Sequence, residues 1–193
     1  MNKATIRDKI KAQRNALSAN SVIDASIDIS RRLWNVPALS RARRIACYFP
    51  VGHEVDCRYF ISTAWEYGRT VLLPVLNGPE LMFSVYDPNT TFLRNQHDIP
   101  EPNEKKTQQI KPQYIDVVLA PLVAFDATGN RVGMGGGYYD RSFRFMRNRT
   151  TWQHPKIIGV AYNLQKVPKI KACSWDIPLQ IVVTEKKIYN FQR

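Results

Sequence analysis

Short apolar runs alternating with helix-period segments constrain this chain more than any other feature. Ile45–Phe49, Val71–Val75, Ile115–Leu119, Ile157–Ala161 and Ile181–Val183 are apolar along almost their whole length, rather than at every second residue. A strand of that kind is buried on both faces, so its sheet must be covered on both sides. Strands separated by helices are joined by crossovers into parallel sheets. The expected fold is therefore α/β, a mainly parallel open sheet with helices on both faces. The 193 residues suffice for one such domain, and no repeat or compositional break divides residues 1–193.

The intervening segments supply the helices. From Lys3 to Leu17, a period of about 100° per residue puts Ile6, Ile10 and Leu17 on one stripe, with Lys3, Arg7, Lys11 and Arg14 along its edge. Edge cations lay their stems on protein and send their heads into an adjoining groove; a solvated basic face would show the same spacing. A second helix is expected from Val22 to Trp34, with Ser21 as N-cap and Pro37 as its stop. A third is expected with Asp56 as its cap, running to about Tyr67 and ending at Gly68, and a fourth from Tyr138 to about Arg147. Leu81 to Tyr86 reads as a more exposed strand. Asp87 to Pro112 holds Pro88, Pro100, Pro102 and Pro112 and reads as a long surface excursion with one short element near Phe92.

Charge narrows the partners. With 28 Lys and Arg against 16 Asp and Glu, the net charge is +12, which favours nucleic acid or small molecules bearing phosphate or carboxylate. A basic nucleic-acid-binding module would use the same residue types, but no recognised motif is present and the charge is spread from Lys3 to Arg193. No apolar run nears the ~20 residues of a membrane-spanning helix. Cys47, Cys57 and Cys173 are odd in number and widely spaced, which argues against a disulfide scaffold or zinc site and for the cytoplasm.

In open parallel sheets, ligands sit beyond the carboxyl ends of the strands. The segments leaving those ends are Pro50 to Glu54, Pro121 to Tyr138 and Tyr162 to Gln165. Five of the nine glycines fall within 129–137, in a loop that continues through Arg131, Val132, Gly133, Met134, Gly135, Gly136 and Gly137 to Tyr138, Tyr139 and Asp140. Such a loop can turn backbone amides towards phosphates, helped by a following helix N-terminus; it can also be a tight surface turn. It lacks the Gly-Lys-Ser/Thr ending of a Walker loop, and Tyr138 stands where a dinucleotide fingerprint needs glycine. Arg131 can grip phosphate oxygens with two prongs, and Tyr138 or Tyr139 can face a heteroaromatic ring. Asp140 suits either the first turn of a helix or a Mg²⁺ ion beside phosphates. Asp176 is either a turn residue ahead of Pro178 or a second metal carboxylate, and Glu54 on spacing alone is a loop acid.

The run from Asp116 through Phe125-Asp126 and the glycine loop to Arg141 resembles the signature of the 5-formyltetrahydrofolate cyclo-ligase family. Lys3 with Arg7, Phe49 through Glu54, and Trp175-Asp176-Ile177-Pro178 resemble its remaining landmarks in order. The resemblance implies a fold similar to ribose-phosphate isomerases and coenzyme A transferases. It also implies conversion of 5-formyltetrahydrofolate, with or without a polyglutamate tail, to 5,10-methenyltetrahydrofolate using ATP and Mg²⁺. It further implies ATP contacts from Lys3, Arg7 and residues 131–139, catalytic roles for Arg131 and Tyr138, folate contacts from Phe49, Glu54 and Tyr138, and Mg²⁺ on Asp140 and Asp176. A monomer without nucleic-acid or membrane partners is expected. The sequence departs from the family pattern at Gln180, where many relatives carry an acid, and at Gly136, where some carry lysine. The second change puts more weight on Arg131.

Overall fold

The computed structural model describes residues 2–103, 108–147, 149 and 154–191. In chain order its helices are α1 (Lys3–Asn15), α2 (Ala19–Leu33), α3 (Pro37–Arg41), α4 (Arg58–Glu66) and α5 (Tyr138–Ser142). Its strands are β1 (Arg44–Ala46), β2 (Thr70–Asn77), β3 (Glu80–Tyr86), β4 (Phe92–Arg94), β5 (Pro100–Pro102), β6 (Gln109–Ile110), β7 (Val117–Pro121), β8 (Ala124–Phe125), β9 (Arg131–Val132), β10 (Lys156–Val160), β11 (Ile181–Val183) and β12 (Ile188–Asn190). The main sheet has the order β12-β11-β10-β7-β1-β2-β3-β6. The pairs from β11 to β2 are parallel, and β12, β3 and β6 add on antiparallel. The α/β expectation holds, with antiparallel flanks added.

Successive residues of the central strands point to opposite faces, as the pleat dictates. Ile45, Val71, Leu73, Val117, Leu119, Ile158 and Val160 pack with Ile29 and Leu33 of α2 and Phe60 and Ile61 of α4. Ala46, Leu72, Val118, Ala120, Ile157 and Val182 pack on the other side with Phe83, Phe143, Ile177 and Leu179. The second face is thus covered by the short α5 region and by extended chain as much as by helix. A third cluster joins Ile6 and Ile10 of α1 to Val123, Ala124 and Val132 of the β8–β9 hairpin. This seats α1 over the carboxyl end of the sheet.

Several local expectations are corrected. Ser18, not Ser21, caps α2: its hydroxyl accepts from Ser21 N at 3.2 Å, which starts the helix one turn earlier. Pro37 opens α3 at a position where its missing N–H costs nothing. Asp56 precedes the α4 cap, Cys57, and accepts from Arg58 N at 2.9 Å. β1 ends at Ala46, and the Cys47 N to Leu72 O bond is the last in its ladder with β2. β3 is less exposed than its pattern suggested: Leu81 and Phe83 are buried, and Leu81 N donates to the Ser142 hydroxyl of α5 at 2.7 Å.

The turn that delivers the glycine loop is built on Asp126, which is buried. Its Oδ1 accepts from Thr128 N at 2.9 Å and Asn130 N at 3.1 Å, and its Oδ2 from Ile170 N at 2.9 Å. Burial alone would raise its pKa, but the hydrogen bonds from Thr128, Ile170 and Asn130 outweigh it and hold the carboxyl below the ordinary range. A depressed carboxyl stabilises the fold above the unfolded-state pKa, and this contribution is lost as pH falls through the folded-state value. Asp126→Ala is accordingly expected to cost about 2–3 kcal/mol at neutral pH by orphaning buried amides. The difference from the parent should shrink as denaturation is repeated below the carboxylate range. An equal loss at both pH values would refute the charged-anchor account.

Candidate active site

Arg131 was expected within a loop; it lies on β9 and is 8% exposed. Its Nη2 donates to Asp140 Oδ1 at 2.7 Å, while Nη1 is buried with no hydrogen-bond partner. A buried guanidinium with one prong committed and the other unpartnered suits capture of an anionic oxygen. Arg7 Nε donates to Gly133 O at 2.7 Å, and a Cβ placed on Gly135 would lie 3.9 Å from the Arg7 guanidinium. Lys3 Nζ lies 2.6 Å from Asp176 Oδ2, which also accepts from Cys173 N at 2.8 Å. Lys3 and Arg7 thus turn towards site segments rather than lying on a solvated face.

The loop itself departs from the expected design. α5 has five residues, too few for a substantial helix dipole, so the positive field comes from side chains. Gly137 caps α5 at φ 68°, a left-handed conformation, and a Cβ there would meet Arg141 Nη1 at 2.6 Å. Gly133 has open space where a side chain would be, and Met134 is half exposed. Val132 is buried in the α1 contact.

Asp140 is set by more than helix position. Its Oδ1 also accepts from Ile177 N at 2.9 Å, and Ile177 follows Asp176 directly. The Asp140 carboxylate is therefore bound to the amide that follows Asp176. No cluster of three or more metal-ligating side chains occurs among the described residues. Mg²⁺ does not require one, since this hard ion takes one or two carboxylates and completes its shell with phosphate oxygens and water. Two carboxylates are the kind of oxygen donor that ion takes, although Asp176 is here ion-paired with Lys3 and Asp140 with Arg131.

Glu54 is buried, with Oε1 3.5 Å from Arg14 Nη1 and Oε2 accepting from Val51 N at 3.1 Å. Burial pushes its carboxyl up, more strongly than the Val51 amide and Arg14 pull it down. Tyr139 packs with Phe143, and burial, reinforced by the Glu54 charge, pushes its phenol up. Phe49 belongs to an aromatic cluster with Tyr86 at 5.5 Å and Phe92 at 5.4 Å between ring centroids.

The excursion contributes residues that the sequence reading did not assign. Within it, β4 and β5 form a hairpin. Phe92 at its base lies on Phe49, while at its tip the His97 Nε2 and Tyr138 hydroxyl are 3.0 Å apart, with Gln96 Nε2 at 3.3 Å from the same hydroxyl. The hairpin thereby links Phe49 to Tyr138. Its sequence signal was Asn95, whose Oδ1 accepts from His97 N at 2.9 Å and Ile99 N at 3.2 Å to fold the turn.

Around the glycine loop stand Lys3, Arg7 and Arg131, the carboxylates of Asp140 and Asp176, and the Tyr138 hydroxyl reached by the β4–β5 hairpin. The sequence profile described as the 5-formyltetrahydrofolate cyclo-ligase family matches residues 1–185. The chain is 33% identical over 187 residues to the 5-formyltetrahydrofolate cyclo-ligase of Escherichia coli, covering 94% of this chain and 100% of that one. It is 34% identical to the Haemophilus influenzae enzyme of the same name, covering 90% and 92%. The solved structure of Aquifex aeolicus 5,10-methenyltetrahydrofolate synthetase superposes with a TM-score of 0.85 at 28% identity, covering 100% of this chain and 94% of that one. The chain belongs to the 5-formyltetrahydrofolate cyclo-ligase family.

Proposed function

We propose that this protein converts 5-formyltetrahydrofolate to 5,10-methenyltetrahydrofolate at the expense of ATP, releasing ADP and phosphate. The observation that carries the reading is Arg131, a buried guanidinium with one unpartnered prong, set between the glycine loop and the carboxylate of Asp140. The formyl oxygen attacks the γ-phosphorus and ADP leaves. The neighbouring folate nitrogen then attacks the activated carbon and loses its proton, and phosphate departs with the former formyl oxygen. Phosphorylation turns a poor leaving group into a good one. The protein's part is positioning and charge stabilisation.

In this reading Lys3, Arg7 and Arg131 neutralise phosphates, and Gly133, Gly135, Gly136 and Gly137 present backbone amides to them. Val132, Met134, Tyr138 and Tyr139 border the nucleotide. Phe49 and Glu54 receive the pterin, with Tyr138 near the reacting carbon. Asp140 and Asp176 would hold Mg²⁺, whose contribution when bound is to offset phosphate charge and fix the phosphates' orientation.

Purified protein given 5-formyltetrahydrofolate and Mg-ATP is expected to generate the absorbance band of the methenyl product over many turnovers. Folded protein that yields no product would remove the proposal. In the same assay, Asp140→Asn should raise the Mg²⁺ concentration for half-maximal rate about tenfold or more, since even the loss of a group that only orients a metal ligand costs about 10–100-fold in affinity. An unchanged requirement would leave Asp140 only as the partner of Arg131 and Ile177 N.

A further inference from the structure

The charged edge of α1 continues past Lys3 and Arg7 to Arg14, and there it turns inward. The Arg14 and Glu54 side chains are 4% and 6% exposed and stand 3.5 Å apart. Arg14 Nε is buried with no hydrogen-bond partner. As a tether between α1 and the Val51–Glu54 loop this is a poor device. Withdrawing two charges from water costs about as much as their attraction returns, and an apolar pair would hold the same surfaces together. The arrangement makes sense if the position of the carboxylate is what matters.

The groups facing Glu54 are Arg14 and Lys11 on α1, Tyr139 on α5, and Tyr48 and Cys57 flanking its own loop. Of these, the cations are both on α1. Lys3 and Arg14 are eleven residues apart on that helix, about 16 Å at 1.5 Å per residue. One rigid rod therefore touches Asp176 and Gly133 at one end and Glu54 at the other.

We propose that Arg14 is a positioning residue for the cyclo-ligase reaction, holding the Glu54 carboxylate at a fixed distance from the phosphate-side cations of the same helix. The proposal rests on the reading that Glu54 meets the folate substrate. Arg14 acts through Glu54 and not on the reacting atoms.

The test is steady-state kinetics on Arg14→Met, Arg14→Lys, Glu54→Gln and the double variant Arg14→Met/Glu54→Gln. Arg14→Met should raise the KM for 5-formyltetrahydrofolate about tenfold while changing the KM for ATP less than about twofold. Because it removes a cation that favours the ionised acid, the acid limb of kcat/KM for the folate should move to higher pH by about one unit. Arg14→Lys should recover most of both effects. The double variant carries no unpaired buried charge, and it should lose no more than Glu54→Gln alone. Equal losses for both substrates, an unmoved acid limb, or additive losses in the double variant would overturn the proposal. If Arg14→Met does not fold, the comparison of the double variant with Glu54→Gln still decides. If Glu54→Gln leaves the folate KM untouched, the assignment of Glu54 fails and the role of Arg14 falls with it. If Glu54→Gln raises that KM but Arg14→Met does not, the assignment stands and the positioning role alone is lost.

Discussion

Arg131→Ala is expected to lower turnover about 10³-fold, the scale on which an arginine stabilising phosphoryl transfer acts. The side chain is buried on β9 with one guanidinium nitrogen on Asp140, so truncation also leaves that carboxylate without its cation. Asp140 keeps a quarter of its side chain exposed and retains the Ile177 amide, and water can replace the lost partner. The stability cost should therefore stay at about 1 kcal/mol, far below the effect on the barrier. Arg131→Lys keeps the charge but not the planar fork, and should fall between parent and Arg131→Ala. Product absorbance with saturating substrates, read beside thermal denaturation, separates the two effects. Turnover within about threefold of the parent would remove Arg131 from phosphate chemistry.

The largest stability effect is expected at Gly129, where the turn begun by Asp126 closes. Its φ is +80°, and an added Cβ would stand 2.6 Å from the Leu179 carbonyl oxygen and 3.0 Å from the Phe191 ring. Leu179 N donates to Gly129 O at 2.9 Å, so the two backbones are bound to each other and neither can retreat cheaply. Left-handed backbone costs a residue with a side chain about 1–2 kcal/mol, and overpacking against fixed main chain adds a similar amount. Gly129→Ala should thus lose at least about 3 kcal/mol in urea or thermal unfolding. A loss under about 1 kcal/mol would mean that this approach can relax, contrary to the packing argument.

The central strands were legible because burial on both faces removes the need for polar alternation. Val117–Ala120 and Ile157–Val160 are apolar for that reason, although their ends were misplaced by a residue or two. The glycine loop was legible because its glycines cluster. The helix expected from Tyr138 to Arg147 was not, since its apolar spacing continues past the point where the chain tightens. Ser142 ends α5, Phe143 leaves helical geometry to pack with Phe83 and Tyr139, and Arg144–Met146 form a 3-10 turn. The partners of Arg14 and Arg131 could not be read either. Their carboxylates are 40 and 9 residues away in sequence, and folding alone makes the first of these pairs neighbours. The β4–β5 hairpin was hidden by Pro100 and Pro102, which normally mark irregular chain but here occupy a short flanking strand.

That hairpin works as a pair of calipers. Its base is fixed by Glu101, which accepts from Leu76 N at 3.1 Å, and by Phe92 in the aromatic cluster, so its reach to the Tyr138 hydroxyl is set by the few residues of the Asn95–Ile99 bend. Lengthening or shortening that bend alters the gap spanned without disturbing a single strand of the main sheet. Surface bends tolerate such changes far better than cores do. The distance from the Phe49 cluster to the Tyr138 hydroxyl is therefore adjustable by insertion or deletion at one exposed tip, with the Arg131–Asp140 pair left as it is.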